Sequence, residues 1–169
     1  MIELLSDHDA LKRINADDIT SLTDRATVAT FYADGLTPEQ VEANREVVRI
    51  AAETALAACV NEHQLFTAAF FDRHFAGYVI STVHAADDRE LDWLMVDPEF
   101  HGSDVSSALM RTGMEWLGLD RSMWLNVIQH NKRAIRFYQK HGFEVDHNAL
   151  IERVVPHFIM RRAPNSEFA

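Results

Sequence analysis

Asn131–Phe143 reads NKRAIRFYQKHGF, and Leu91–Met110 reads LDWLMVDPEFHGSDVSSALM. In the first stretch a polar residue opens a helix, a tyrosine follows two turns later, and Gly142-Phe143 closes it. In the second, an apolar run stops at Asp97-Pro98 and a helix starts after a short turn. A strand, a turn and a helix in that order present free backbone N–H groups to a phosphate. The pair of segments points to an α/β protein and to a ligand bearing a diphosphate.

The surrounding sequence supports this. Thr37-Pro38-Glu39-Gln40 has a capping residue, a proline at the first helical position and a glutamine that completes a capping box. Val41, Val48, Ala52, Ala55, Leu56 and Cys59 then share one helical face. Shorter helices are expected near Asp7–Ile14 and Asp18–Thr30. Gln64–Phe70 and Phe75–Val83 flank Asp72-Arg73-His74 as a hairpin, and Glu90–Val96 forms a third strand. A helix is expected over Ser103–Leu117, with Val105, Ala108, Leu109 and Trp116 inward. Ser122–Val127 reads as a strand, Asn131–Lys140 as a helix, and Phe143–Val145 and Val154–Met160 as closing strands. This order predicts an α/β (α+β) domain over residues 1–163: one mixed, mostly antiparallel sheet with helices on both faces. Residues 164–169 read as a flexible tail.

Bulk properties narrow the partners. The 169 residues fit one domain with a real core. A net charge of −10 argues against nucleic acid, and no apolar run is long enough for a membrane span. Cys59 is the only cysteine, so no internal disulfide can form and the cytoplasm is the expected compartment. Residues 1–100 hold seven Lys and Arg against nineteen Asp and Glu, while residues 101–169 hold nine against seven. An anionic ligand would prefer the second part and a cationic one the first. The nine histidines form no His-x-x-x-His pair and no compact metal cluster, so no metal is expected. Cys59 reads as core, and neither Gly-x-Ser-x-Gly nor a Walker sequence occurs.

Leu125, Val127, Asn131, Ala134, Phe137, Tyr138, Lys140, Gly142 and Phe143 follow the pattern L-x-V-x-x-x-N-x-x-A-x-x-F-Y-x-K-x-G-F. Over Thr37 to Met160 the chain resembles the GNAT superfamily of acyl-CoA-dependent N-acetyltransferases. The resemblance implies the GNAT fold, with acetyl-CoA in a V-shaped opening between two splayed central strands. It implies backbone contacts from Leu94, Met95 and Val96 to the pantetheine arm, one N–H there facing the thioester oxygen. It also implies a diphosphate cradle over His101, Gly102, Ser103, Asp104, Val105, Ser106 and Ser107. The family's loop there reads Q/R-x-x-G-x-G/A, and this chain departs from it at His101, Asp104 and Ser106. Asp104 sets a negative charge beside a diphosphate, a repulsion of order 1 kcal/mol in a wet site.

Transfer of acetyl to an amine requires a base, an oxyanion donor and help for the departing thiolate. By resemblance Tyr138 is the general acid at the coenzyme sulfur; by residue type alone it could equally be a packing tyrosine. By resemblance Glu90, at the start of its strand, is the leading candidate base, acting through water; Asp92, on the same strand face, is a second candidate and His84 a weaker one. Asn131 either contacts the pantetheine arm or caps its helix. Arg133, with Lys132 and Arg136, could meet the coenzyme phosphates or simply form a solvated face. The acceptor would be a primary amine on a small molecule or peptide, with a cationic one favoured by the charge of residues 1–100. Many GNAT proteins pair as homodimers. A second reading keeps the fold without catalysis, as a catalytically impaired protein that binds a ligand or partner.

Overall fold

The computed structural model describes residues 1–149 and 151–165. The chain opens with β1 (Ile2–Ser6), α1 (Asp7–Leu11), α2 (Ala16–Phe31) and α3 (Pro38–Ala58). A meander of β2 (Gln64–Phe71), β3 (His74–Ala85) and β4 (Asp88–Val96) follows, and a 3-10 turn at Pro98–Phe100 leads to α4 (Val105–Leu117). β5 (Met123–Ile128), α5 (Lys132–Lys140), β6 (Glu144–Val145) and β7 (His157–Arg162) complete it. The seven strands form one sheet in the order β1-β2-β3-β4-β5-β7-β6. All neighbours pair antiparallel except β4 and β5, which are parallel.

Each face buries its own core. Val105, Leu109, Met110 and Leu117 of α4 and Ile135 of α5 pack against Val79, Leu91 and Leu125 on one face. Ala10, Ile19, Leu22, Ala55 and Ala58 of α1–α3 pack against Phe66, Tyr78 and Ile80 on the other. The Tyr78 hydroxyl meets Thr23 Oγ1 at 2.7 Å, which satisfies both polar groups inside that apolar layer. At the end of β4, the buried Asp97 accepts from Arg25 Nε at 2.8 Å and from the Glu99 N–H at 3.0 Å. α2 is thereby pinned across the sheet edge from which the 3-10 turn departs.

Several expectations change in detail. β1 was not anticipated: five residues run straight into a helix without a turn signal. Asp7 makes that corner at φ +47°, and its carboxylate accepts the Phe66 N–H at 3.0 Å. α2 starts before Asp18 because Asn15 is its cap and Asp18 the reciprocal partner in a capping box. The capping box of Thr37 and Gln40 forms as expected. Leu56, expected inward, is exposed; the helix instead buries Asn44, whose Nδ2 donates to the Phe31 carbonyl at 3.0 Å. β7 starts after Pro156, a residue that lacks the N–H a ladder needs. Asn165 still donates its N–H to the Leu119 carbonyl at 2.9 Å, and 166–169 lie outside the described residues.

The central feature is a splay. β4 and β5 share one paired position, Glu90 with Trp124, and diverge beyond it. The cause lies in β4. The β3–β4 ladder shifts register between Val79 and Ile80, leaving Trp93 as an extra residue at φ +46°. A bulge of this kind bends its strand and increases its twist. Asp92, opposite Ile80, and Trp93 therefore come to one face, while Leu94, opposite Val79, returns to the other.

Gly77 lies in β3 opposite Val96, and a Cβ there would come 2.6 Å from the Met95 carbonyl oxygen and 3.1 Å from Val96 Cγ2. Gly77→Ala is expected to cost roughly 1–3 kcal/mol in urea denaturation, because the contacting oxygen is backbone and cannot rotate away. A variant as stable as the wild type would show that β4 can shift freely.

Candidate active site

The vertex of the opening is built from three strands. Glu90, buried at the one shared β4–β5 position, points its Oε2 at His84 Nε2, 2.7 Å away at the end of β3. Its Oε1 lies 3.5 Å from Asn126 Nδ2 on β5. The His84 ring lies nearly parallel to Trp124, with centroids 6.1 Å apart, and Trp124 donates to Asp88 Oδ1 at 2.7 Å. Two neighbours, His84 and Asn126, thus hold one buried carboxylate, and Trp124 stacks on the first of them.

Asp92 lies one ladder step further into the opening. Burial, and then repulsion from Glu90, push its carboxyl up to about 7. Glu90 is also raised, by burial, and the His84 hydrogen bond pulls it back toward ionisation. The two carboxylates share too dry a space for both to ionise readily. The charge of Arg153, in the loop before β7, favours the ionised form of both.

Tyr138 packs beside Phe137 and Phe143 against the α4-side core. Burial, with a smaller push from Asp92, raises its hydroxyl to about 12. The field of Asp92 also acts on Tyr78. The structure therefore brings Tyr138, Glu90 and Asp92 into one neighbourhood, although they come from α5 and β4.

The mouth follows. Leu94, Met95 and Val96 pair with β3 on one side, and beyond Glu90 the ladder to β5 is not continued. Gly102 has φ +84°, with no heavy atom within 4 Å of where a Cβ would sit. That conformation suits glycine, and the space over it is open. Asp104 has φ −80° and ψ 4°, a backbone any L-residue adopts, so a glycine is not needed there. Its side chain is exposed and makes no capping bond; Ser103 Oγ instead accepts from the Val105 N–H at 3.4 Å and donates to the Phe100 carbonyl at 2.6 Å. The first-turn N–H groups of Val105, Ser106 and Ser107 lack helical partners, as at any helix start. This loop fits a diphosphate in spite of its changed sequence.

Across the mouth Asn131 Oδ1 caps α5 by accepting the Ala134 N–H at 3.2 Å. Arg133 Nη1 donates to His101 Nδ1 at 2.5 Å, joining the two lips of the opening. Burial and Arg133 together hold His101 below its ordinary value, in keeping with a neutral ring that accepts. Lys132 and Arg136 are exposed. Part of the acidic surplus lies on the exposed side of α3, where Glu42 and Glu46 pair with Arg45 and Arg49. Cys59 is half-buried, and burial raises its thiol to about 11.

Sequence reasoning did not find Asn126, Arg153 or the hydrogen bond of His84 to Glu90. Asn126 left a signal, a single amide inside the apolar run MWLNVI. Arg153 left none, because its loop has no periodicity. Among the described residues no group of three or more His, Cys, Asp or Glu could hold a metal, and no helix is long and apolar enough to cross a membrane.

The profile of the acetyltransferase (GNAT) family matches residues 29–143. An uncharacterised N-acetyltransferase of Mycobacterium bovis is 37% identical over 79 residues, 44% of this chain and 49% of that protein. The match thus spans about half the length of that relative. Among solved structures, the PaiA N-acetyltransferase of Thermoplasma acidophilum, crystallised with coenzyme A, superposes with a TM-score of 0.71 at 23% identity. That superposition covers 96% of this chain and 99% of the other. PH1933 of Pyrococcus horikoshii superposes at 0.67 and 16% identity, covering 98% and 99%. At these identities the two structures share the fold with this chain.

Asp92 also makes a statement about stability. Between its ordinary 3.8 and about 7 the folded chain holds this proton more tightly than the unfolded chain. Folding stability attributable to Asp92 therefore falls as pH rises through that window. Asp92→Asn is expected to raise the melting temperature relative to wild type more at pH 8 than at pH 5, as read by scanning calorimetry. An equal gap at both pH values would contradict a raised Asp92.

Proposed function

Because the chain belongs to the GNAT acetyltransferase family, we propose that it transfers an acetyl group from acetyl-CoA to a primary amine, by direct attack with both substrates bound. The observation that carries this reading is the splay of β4 from β5 with Asp92 and Tyr138 beside it. The superposed structure with coenzyme A supports the choice of donor. The family supplies the chemistry in outline; the roles below belong to this chain.

Asp92 is the base. An amine in water is mostly ammonium at pH 7. A carboxylate whose proton affinity has risen to about 7 suits its removal, directly or through one water. Burial supplies most of that rise and repulsion from Glu90 adds to it, Glu90 being held in place by His84 and Asn126. The free amine then attacks the thioester carbonyl, the C–N bond forms, the nitrogen gives up its second proton to solvent or to the departing sulfur, and the C–S bond breaks with its electron pair on sulfur. An N–H in Leu94–Val96 faces the developing oxyanion.

Tyr138 acts as a hydrogen-bond donor to the leaving sulfur. A hydroxyl at about 12 is a weaker acid than a thiol near ~8.5. Complete proton transfer to the thiolate would run uphill by roughly 5 kcal/mol at 1.36 kcal/mol per unit. A charge-assisted hydrogen bond demands no such transfer and contributes about 1.5–3 kcal/mol. The Gly102 turn and the first N–H groups of α4 hold the diphosphate, with Arg133 at the opposite lip.

Three measurements test this. Calorimetric titration with coenzyme A should show binding, tightened up to about tenfold by Asp104→Gly through relief of a repulsion of order 1 kcal/mol. No heat from either protein would favour the reading as a non-catalytic binder. The rate at subsaturating amine should rise with pH through about 7, since the protonated carboxyl cannot accept a proton. Asp92→Asn should lower kcat/KM by about 10²- to 10⁴-fold and remove that limb; a limb that persists would acquit Asp92. Tyr138→Phe should lower kcat about 10- to 100-fold, the equivalent of one charge-assisted hydrogen bond, with coenzyme affinity retained. An unaltered kcat would remove Tyr138 from the sulfur.

A further inference from the structure

We propose that the acceptor amine also carries a carboxylate, as amino acids do, and that Arg153 binds it. The inference rests on the reading of Asp92 as the residue that receives the amine. It starts from the loop between β6 and β7, which the function above does not use.

That loop, with Gln129 after β5 and His157 at the start of β7, borders an open cavity of about 450 Å³ lined also by the exposed Glu152, Arg153, Val154 and Pro156. The size suits a small molecule. The loop is well anchored on one side of Arg153. The Val154 carbonyl accepts from Gln40 Nε2 at 3.1 Å, and the Pro156 carbonyl from the Gln129 N–H at 3.0 Å. Val155 is buried against Phe31 and Ile128. His157 Nδ1 meets the Val155 carbonyl at 2.6 Å.

Arg153 differs from the other arginines around the opening. Arg25 pairs with Asp97, Arg133 with His101 and Arg161 with Asp146. Arg153 has no ion pair or hydrogen bond among the described residues. Its guanidinium nevertheless lies near enough to Glu90, Asp92 and His157 to act on all three by charge. A cation that stands beside a carboxylate pair without bonding to it keeps its planar fork of donors free. A carboxylate fills that fork with two parallel hydrogen bonds.

The charges within reach of Arg153 then select the substrate; Glu152, which lines the same cavity, is exposed and forms no ion pair with Arg153 among the described residues. Burial holds His157 below its ordinary value, so its ring adds no competing cation. Glu90 and Asp92 attract the ammonium end of an acceptor. A second cation on that acceptor would meet Arg153, whereas a carboxylate a few bonds from the amine would be drawn to it. The −10 charge of the whole chain favours a cationic acceptor, but the groups nearest the reacting amine favour a zwitterion. Nearby fixed charges outweigh solvated ones more than a Debye length away.

The test compares matched acceptors on the full chain with acetyl-CoA: phenethylamine with phenylalanine, cadaverine with lysine, and phenylalanine with an ω-amino acid such as 5-aminopentanoate. The expected result is a kcat/KM at least tenfold higher for the carboxylate-bearing member of the first two pairs. The third pair tells an α-carboxylate from a distant one. Arg153→Ala should reduce the preference about 10- to 100-fold, chiefly through KM. Arg153→Glu should reverse it, and Arg153→Lys should restore part of it. A preference untouched by Arg153→Ala, or a preference for plain amines or amine phosphates in the wild type, overturns the proposal. If no amine is acetylated although coenzyme A binds, the catalytic reading fails by itself. Calorimetry with N-acetylphenylalanine then decides this one: affinity weakened at least tenfold by Arg153→Ala upholds it, and equal affinity sinks it.

Discussion

The parting of β4 from β5 after one shared position, Glu90 with Trp124, is the constraint that the rest of the molecule serves. Each strand is secure on its outer side, β4 against β3 and β5 against β7. Their inner edges face each other without a continued ladder. Backbone N–H and C=O groups demand partners wherever water is scarce. An open V between two parallel strands is therefore a place where a ligand's own amides can complete a sheet. The bulge at Trp93 creates it, and it carries a cost: a bulky side chain sits at φ +46°, a region such residues rarely occupy.

The same bulge explains the electrostatics. Without the extra residue, Asp92 would keep strict alternation with the residues that follow it. With it, Asp92 and Trp93 crowd onto one face, close to Glu90, and the field of Asp92 reaches Tyr138. Burial raises both carboxyl groups, and their mutual repulsion keeps a proton between them near neutrality. His84 and Asn126 hold Glu90 in place, and the His84 hydrogen bond favours its ionised form against the burial that raises it. A carboxyl raised to about 7 results from burying two acids close together, at the expense of stability above that pH.

The diphosphate loop shows how sequence and backbone can separate. A family pattern rich in small residues is met here by His101, Asp104 and Ser106. The backbone still makes its left-handed turn at Gly102, the one position whose φ requires glycine. At Asp104 the dihedrals are ordinary, so the side chain is a matter of charge and not of strain. Arg133, reaching over to His101, places positive charge at the same mouth.

From its residues alone, the chain determined its helices and most of its strands, because capping boxes, Gly-Phe stops and apolar periodicity are local and repeat. The resemblance to the GNAT superfamily pointed to Tyr138 and Glu90, and strand alternation put Asp92 on the face of Glu90. Missed were β1, which passes into a helix without a turn signal, and the partners that give the site its chemistry. Asn126 and Arg153 come from elements far along the chain from Glu90, and no local rule relates them to it; His84 was a candidate base, but its hydrogen bond to Glu90 across the β3–β4 turn was not foreseen. Only tertiary structure decided that burial and Glu90 raise Asp92 toward neutrality, that Tyr138 lies within its field, and that Arg153, without ion pair or hydrogen bond among the described residues, acts by charge on both acids. Proton affinity depends on burial and on nearby charge, and both are set by which strands lie together in space.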